Sequence, residues 1–284
     1  MKLAQVVLTI ILSIAAAFIT TQYVGNMPTN QPAHETAYDR VMRTKTLRCG
    51  YIPYSYVFKI DPNTKQLSGV LYDIMMELGR LNQIKIDWSE ELTWATVSTA
   101  IGTGRVDAMC SGMWIDTQNG AYLAFSDPFY FNSVSAYGRA NETRFTKLED
   151  LNNATVRVAT RDGGTPAIIA RQDFPQATVV SLPSGISEGE LVEQLLTNKA
   201  DVFFYGDDTL MDFMSKNPGK LKPLFSEKKL RIYALAIALP MQDVGMKNMI
   251  NNSISEMKGS KVIERALKTH ALPGSWVNDM SGLN

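Results

Sequence analysis

The chain has 284 residues, 45% of them hydrophobic and 20% charged, with 28 lysines and arginines against 28 aspartates and glutamates. This is the composition of a folded protein long enough for two domains, and zero formal net charge supplies neither the basic face that nucleic acid requires nor the basic surface that anionic lipid attracts. Two histidines, His34 and His270, and two cysteines, Cys49 and Cys110, make no zinc or iron–sulfur ligand set, so neither metal nor cofactor is expected.

Residues 1–25 open with Lys2, continue through an almost wholly apolar run over 6–19 and end in the polar 20–22, the layout of a secretory signal. The small residues 15–17 lie inside the apolar run, and no small-x-small cleavage site follows it. An uncleaved anchor is therefore the alternative: residues 3–24 reach the roughly 20 needed to cross a bilayer, diluted by Gln5, Thr9 and Ser13. Both readings leave the chain beyond residue 26 outside the cytoplasm, in the periplasm, either free or tethered through residues 3–24. Residues 26–44 read as a linker.

From residue 47 short β-rich runs alternate with longer helical ones, the pattern of an α/β protein with mostly parallel sheet wrapped by helices. Strands are predicted at 47–52, 84–88 and 106–112, with helices at 70–82 and 93–102 between them. A second unit repeats the rhythm: strands at 156–160, 178–182 and 200–205, helices from 166, at 188–198 and at 208–217. A buried strand at 233–239 (YALAIAL) and helices at 244–257 and 261–270, broken at Gly259, complete the chain. Two such units imply two lobes with a ligand cleft where loops at the carboxyl ends of strands converge.

An ordered series of motifs then resembles one family. LRCGYIPY (47–54) lies at the first strand, GVLYDIMMELGRLN (69–82) resembles a glycine–acid–helix signature, and WATVSTAIGTGRVDAMCSGMWIDT (94–117) is followed by FSDPFYF (125–131). DGGTP (162–166) and ALAIALP (234–240) follow in register. The series is similar to the family 3 extracytoplasmic solute-binding proteins, the polar amino-acid receptors of bacterial uptake transporters. The resemblance implies the type II two-lobed binding fold, with lobe one at 45–138 plus 233–284 and lobe two at 139–232. It implies capture of a small-molecule solute by hinge closure and delivery to the membrane permease of an ABC-type transporter, by a monomer that is not an enzyme.

Several residues have suitable chemistry for a cleft. Tyr51, Tyr54 and Tyr56 crowd the loop after the first strand, where aromatics favour recognition. The resemblance puts Trp94 against the ligand as a stacking surface, with a core tryptophan as the alternative. Ser111 and Gly112 end the third predicted strand and offer a hydroxyl and bare amides. Trp114 replaces a small polar residue usual in the family and either narrows the pocket or packs beneath a loop. In lobe two, Gly164 and Thr165 form a helix start suited to an anion, or simply to capping. Arg161 stands just before it.

Two departures from the family pattern bear on the ligand. The arginine that clamps an α-carboxylate in amino-acid binders corresponds here to Asn119, and no lysine or arginine occurs over 113–124. The acid that holds an amine falls on Gly206, with Asp207 one residue further. These departures favour a neutral solute, or an anion held from lobe two, over a standard α-amino acid. Two alternatives stay open: a membrane-tethered sensor or accessory subunit, and a dehydratase on the same fold. Cys49 and Cys110 fall in strands that the fold makes neighbours, and two buried free thiols are expected because a bridge between parallel strands is geometrically demanding.

Overall fold

The structure is a computed structural model that describes residues 2–25, 35–54, 56–226 and 228–270. Residues 26–34 of the expected linker and 271–284 of expected lobe one lie outside them. The chain divides into two units, Met1–Glu35 and Thr36–Asn284.

The first unit carries α1, Lys2–Gly25. Ser13, Thr20 and Thr21 turn their hydroxyls back onto carbonyls one turn earlier, at 2.7–2.9 Å, which satisfies these polar groups within an apolar helix. Among the described residues no helix is long and apolar enough to cross a membrane.

The second unit begins with α2, Ala37–Thr44, inside the stretch read as a linker. Its start is a capping box: the Thr36 side chain accepts from the Asp39 amide while the Asp39 carboxylate accepts from the Thr36 amide. Asp243 accepts the Tyr38 amide at 2.8 Å, and Val41 is fully buried, so tertiary contacts fix a helix that is short for its own stability.

Then follow β1 (Thr46–Tyr51), the hairpin β2 (Lys59–Ile60) and β3 (Leu67–Ser68), α3 (Val70–Asn82), β4 (Lys85–Glu91), α4 (Val97–Gly102) and β5 (Ala108–Trp114). Next come β6 (Leu123–Phe125), β7 (Tyr130–Arg139), β8 (Arg157–Arg161), α5 (Thr165–Asp173), β9 (Thr178–Leu182), α6 (Glu188–Leu196) and β10 (Val202–Gly206). The chain finishes with α7 (Asp207–Lys216), β11 (Leu221–Pro223), β12 (Arg231–Pro240), α8 (Val244–Gly259) and α9 (Val262–His270). The helix expected from residue 93 starts only at Val97. Thr93 and Thr96 instead close a turn, in which the Thr93 amide donates to Thr96 Oγ1 and the Thr96 amide to the Thr93 carbonyl.

Among the described residues ten strands form one sheet, in the order β4-β1-β5-β12-β7-β10-β8-β9, with β6 paired to β12 and β11 to β7. The flanks β4-β1-β5 and β10-β8-β9 are parallel, whereas β12 and β7 run antiparallel to each other and to their outer neighbours. Each flank carries its own core on both faces. On the first, Leu71, Ile74 and Leu78 of α3 meet Ile250 and Ile254 of α8, while Val97 and Ile101 pack with Met109 on the other side. On the second, Ile169 packs with Val158 and Phe204, and Leu191 and Leu195 pack with Phe203 and Leu210. These are the two lobes.

Both lobes use the same polar device at the start of their inner strands. Asp107 accepts the Arg48 amide at 2.7 Å and donates its own amide to the Arg48 carbonyl at 2.8 Å. Asp201 does the same with Arg157, at 2.9 and 2.8 Å. In each case the arginine side chain also folds onto the aspartate.

The expectation of free thiols is corrected: Cys49 and Cys110 form a disulfide, with Cα atoms 5.3 Å apart. The register explains it. Cys49 of β1 pairs with Ala108 of β5, so Cys110, two residues on, shares its face at a diagonal that a bridge can span.

Candidate functional site

A cavity of about 760 Å³, counting the part open to solvent, lies where the carboxyl ends of β5, β8 and β10 converge. Lobe one contributes mostly aromatic wall: Tyr54, Trp94 and Trp114. Trp94 meets Tyr54 edge-on at 5.8 Å between centroids, and Trp114 stacks on Tyr233 at 5.1 Å with the rings 10° from parallel. One face of the indole is thus held by the strand that links the lobes.

The charges come from lobe two. Arg161 ends β8 and is only 8% exposed. Its Nη1 donates to the Tyr205 hydroxyl at 2.9 Å, that hydroxyl donates to Glu188 Oε1 at 3.0 Å, and Nη2 lies 3.5 Å from the same carboxylate oxygen. Arg161 Nε has no partner, and Nη2 has only the 3.5 Å ion pair with Glu188. Buried guanidinium donors left unmatched cost far more than paired ones. A planar anion fits that edge, because a guanidinium presents parallel donors.

Asp208 supplies the opposite charge. Its carboxylate is buried and accepts the Thr209 amide at 2.6 Å and the Thr209 hydroxyl at 3.1 Å, with the Tyr130 hydroxyl at 3.5 Å. Burial pushes the carboxyl up to about 6, against the opposing hydrogen bonds from Asn132 and Thr209. Asn132 Oδ1 and Thr160 Oγ1, also on cavity-lining residues, are buried without a partner. Asn132 Oδ1 therefore awaits a donor, beside the buried Asp208 carboxylate.

The last residue of β10, Gly206, explains why the acid stands where it does. A Cβ on Gly206 would lie 2.6 Å from Asp208 Oδ1, 2.7 Å from Asn132 Nδ2 and 3.1 Å from Trp114 Cζ2. The Trp114 ring edge and the Asp208 carboxylate already fill the space that a side chain at 206 would need. A large residue at 114, none at 206 and an acid at 208 form one steric solution.

Of the residues expected at the site, Tyr54, Trp94, Trp114, Asn119, Arg161, Gly164 and Thr165 line the cavity. Five do not. Tyr51 packs on Phe58 and Trp88 at 5.4 and 6.1 Å, and Tyr56 is in the core. Ser111 and Gly112 sit inside β5, because the strand runs on to Trp114 instead of ending at Gly112. Ser111 nonetheless holds the wall: its carbonyl accepts the Tyr54 hydroxyl at 2.9 Å and its hydroxyl accepts the Ile52 amide at 2.9 Å. Asp207 turns away from the cavity and is bound by Ser133, Tyr137 and Lys229 at 2.6–2.7 Å. Sequence reading missed Asp208, Asn132, Tyr205 and Thr160. The Asp-Asp pair after a strand was a signal for the first, whereas Asn132 lies on β7, a strand the pattern did not announce.

The profile of the bacterial extracellular solute-binding proteins, family 3, matches residues 47–272. The chain belongs to this family. Among solved structures, this solute-binding protein is similar to an ancestral amino acid-binding protein described as a precursor of cyclohexadienyl dehydratase. That likeness covers 83% of this chain and 99% of the other, at 22% identity and a TM-score of 0.71. The solute receptor for L-cysteine of Neisseria gonorrhoeae is similar over 85% and 99%, at 14% identity and 0.73. An amino acid ABC transporter substrate-binding protein of Streptococcus pneumoniae bound to L-arginine is similar over 86% and 100%, at 18% identity and 0.68. At these identities the likeness shows the two-lobed fold and nothing finer. No curated protein matches the sequence.

Proposed function

We propose that this solute-binding protein captures a small amphoteric solute in the periplasm and delivers it to the permease of an ABC-type uptake transporter. The observation that carries the reading is the pairing, within one cavity, of the incompletely matched Arg161 guanidinium, whose Nε has no partner, with the buried Asp208 carboxylate and the unpartnered Asn132 Oδ1. An anionic group of the solute takes the open guanidinium edge, a donor-rich or cationic group takes Asp208 and Asn132, and its body lies against Tyr54, Trp94 and Trp114. The solute is not a standard α-amino acid held in the usual family manner, since Asn119 stands at the clamp position and carries no charge. Lobe one spans 45–138 plus 233–284 and lobe two 139–232, and the N-terminal helix acts in export.

Calorimetric titration with the twenty common amino acids and a metabolite panel tests the reading. Binding of an amphoteric compound outside the twenty is expected, and submicromolar binding of a common amino acid would overturn the exclusion. For export, alkaline phosphatase fused to the C-terminus should be active; a stable but inactive fusion refutes it.

A second reading rests on Asp208 alone. A carboxyl poised at about 6 in a cavity suits general acid–base chemistry, and elimination of water from a bound carboxylic acid would use it. A turnover assay on every compound that binds separates a dehydratase from a carrier.

A further inference from the structure

Two residues that the sequence offers to a ligand anion, one from each lobe, are bonded instead to a carboxylate of the chain itself. Asp116 follows β5 in lobe one. Its Oδ2 accepts the Thr165 hydroxyl at 2.9 Å from the start of α5 in lobe two, and also Asn119 Nδ2 at 2.8 Å. Its Oδ1 accepts the Asn119 amide at 2.8 Å. Asn119 is the residue at the clamp position, and Thr165 is the residue at the anion-suited helix start.

The same contact bridges the cleft. Beside it the lobes touch backbone to backbone: a Cβ on Gly163, whose φ is +74°, would lie 3.1 Å from Ala95 Cα. A helix start attracts one carboxylate by its free amides and positive dipole end. With Asp116 already there, a second anion brought to Thr165 meets like charge a few ångströms away in a partly desolvated cleft, where such repulsion is strong.

We propose that Asp116 is a specificity-determining residue: a built-in carboxylate that occupies the position between the two lobes where an α-carboxylate would sit. It has two effects. It turns α-carboxylates away from Thr165, leaving Arg161 as the anion position, and it fastens the lobes across the cleft when no solute is present. The first effect deepens the solute-binding reading and rests on it; the second is independent of which solute is carried.

Small-angle scattering from the ligand-free protein, with Asp116→Ala, Asp116→Asn and Thr165→Val beside the parent, reads the second effect. Asp116→Ala and Thr165→Val each remove the crossing bond and should raise the radius of gyration, with circular dichroism unchanged. Identical scattering from the folded variants and the parent would overturn the fastening. Calorimetry of parent, Asp116→Ala and Asp116→Asn with the twenty common amino acids reads the first effect. At least a tenfold gain in affinity for one amino acid in either variant supports the exclusion. No gain in either folded variant overturns it, whether or not the scattering changes. A parent that binds nothing in any panel, with scattering still altered by the substitutions, would count against solute binding and leave the fastening supported.

Discussion

Asp208 places a stability cost inside the site. The folded protein holds this proton more tightly than the unfolded chain, in which aspartate titrates near 3.9. The ionised carboxylate therefore costs stability above about pH 6, and the cost fades as pH falls from about 6 to about 4. A rise of about two pKa units corresponds to about 3 kcal/mol. Urea denaturation should show Asp208→Asn more stable than the parent by about 2–3 kcal/mol at pH 7, with the gap closed near pH 4, while solute affinity is lost. Trp94 behaves differently, because it stands edge-on to Tyr54 at the wall and a polar network does not depend on it. Trp94→Ala should weaken the identified solute by about tenfold to a hundredfold, the range of about 1–3 kcal/mol for a lost stacking surface, with an unchanged melting curve shape. Undiminished affinity would make Trp94 a packing residue.

Among the elements, α3 was legible because its apolar positions 71, 74, 75 and 78 recur at helical spacing between Gly69 and Gln83, and its observed bounds are Val70–Asn82. α2 was not, since its Thr36–Asp39 capping box lies among linker-like residues and its stability comes from Asp243, far along the chain. β7 escaped because both its faces are buried, which mixes Asn132, Ser133 and Ser135 with Val134 and Tyr137 and erases alternation. For the same reason Asn132 was not offered as a site residue, and the relocation of the acid to Asp208 became visible only with the ring of Trp114 in place. The disulfide lay beyond reach too, as strand register cannot be read from either segment alone. It closes a separation of 61 residues between β1 and β5. A Cys49→Ala, Cys110→Ala double variant should lose about 4 kcal/mol on chain-entropy grounds, seen as a lower denaturation midpoint. The parent in reducing agent should move toward the same value.

At the scale of the whole molecule, both lobes tie their inner strands with an aspartate and an arginine; in lobe one Arg40 joins Arg48 on Asp107, and lobe two extends the pair into a larger cluster that takes in a second carboxylate. There Glu142 joins Arg139 and Arg144 at 3.0 and 2.6 Å, and Arg144 reaches Asp201 at 2.8 Å. Hydrogen bonds from Arg144 hold the Glu142 carboxyl down to about 2. Its contribution is fully present above about pH 4.5 and is lost as pH falls through about 2. Glu142→Gln should therefore destabilise the protein at pH 5–8 and be indistinguishable from the parent below pH 2, as read by equilibrium denaturation across pH. A deficit that persists into strong acid would mean that Glu142 acts by shape and not by charge.

The middle of the sheet sets the order in which this molecule can be assembled. β12, residues Arg231–Pro240, lies between β5 and β7 and also closes β6, so three strands from earlier in the chain wait for one of the last segments. As the chain emerges amino end first, lobe one must remain open-edged until that strand arrives, whereas lobe two has all its strands in hand except for the shared edge of β7. Unpaired edges recruit other chains, and pairing across such sequence distances is slow. A chain cut at residue 230 should accordingly aggregate on refolding, and adding a synthetic peptide of residues 231–240 should return part of it to the soluble fraction.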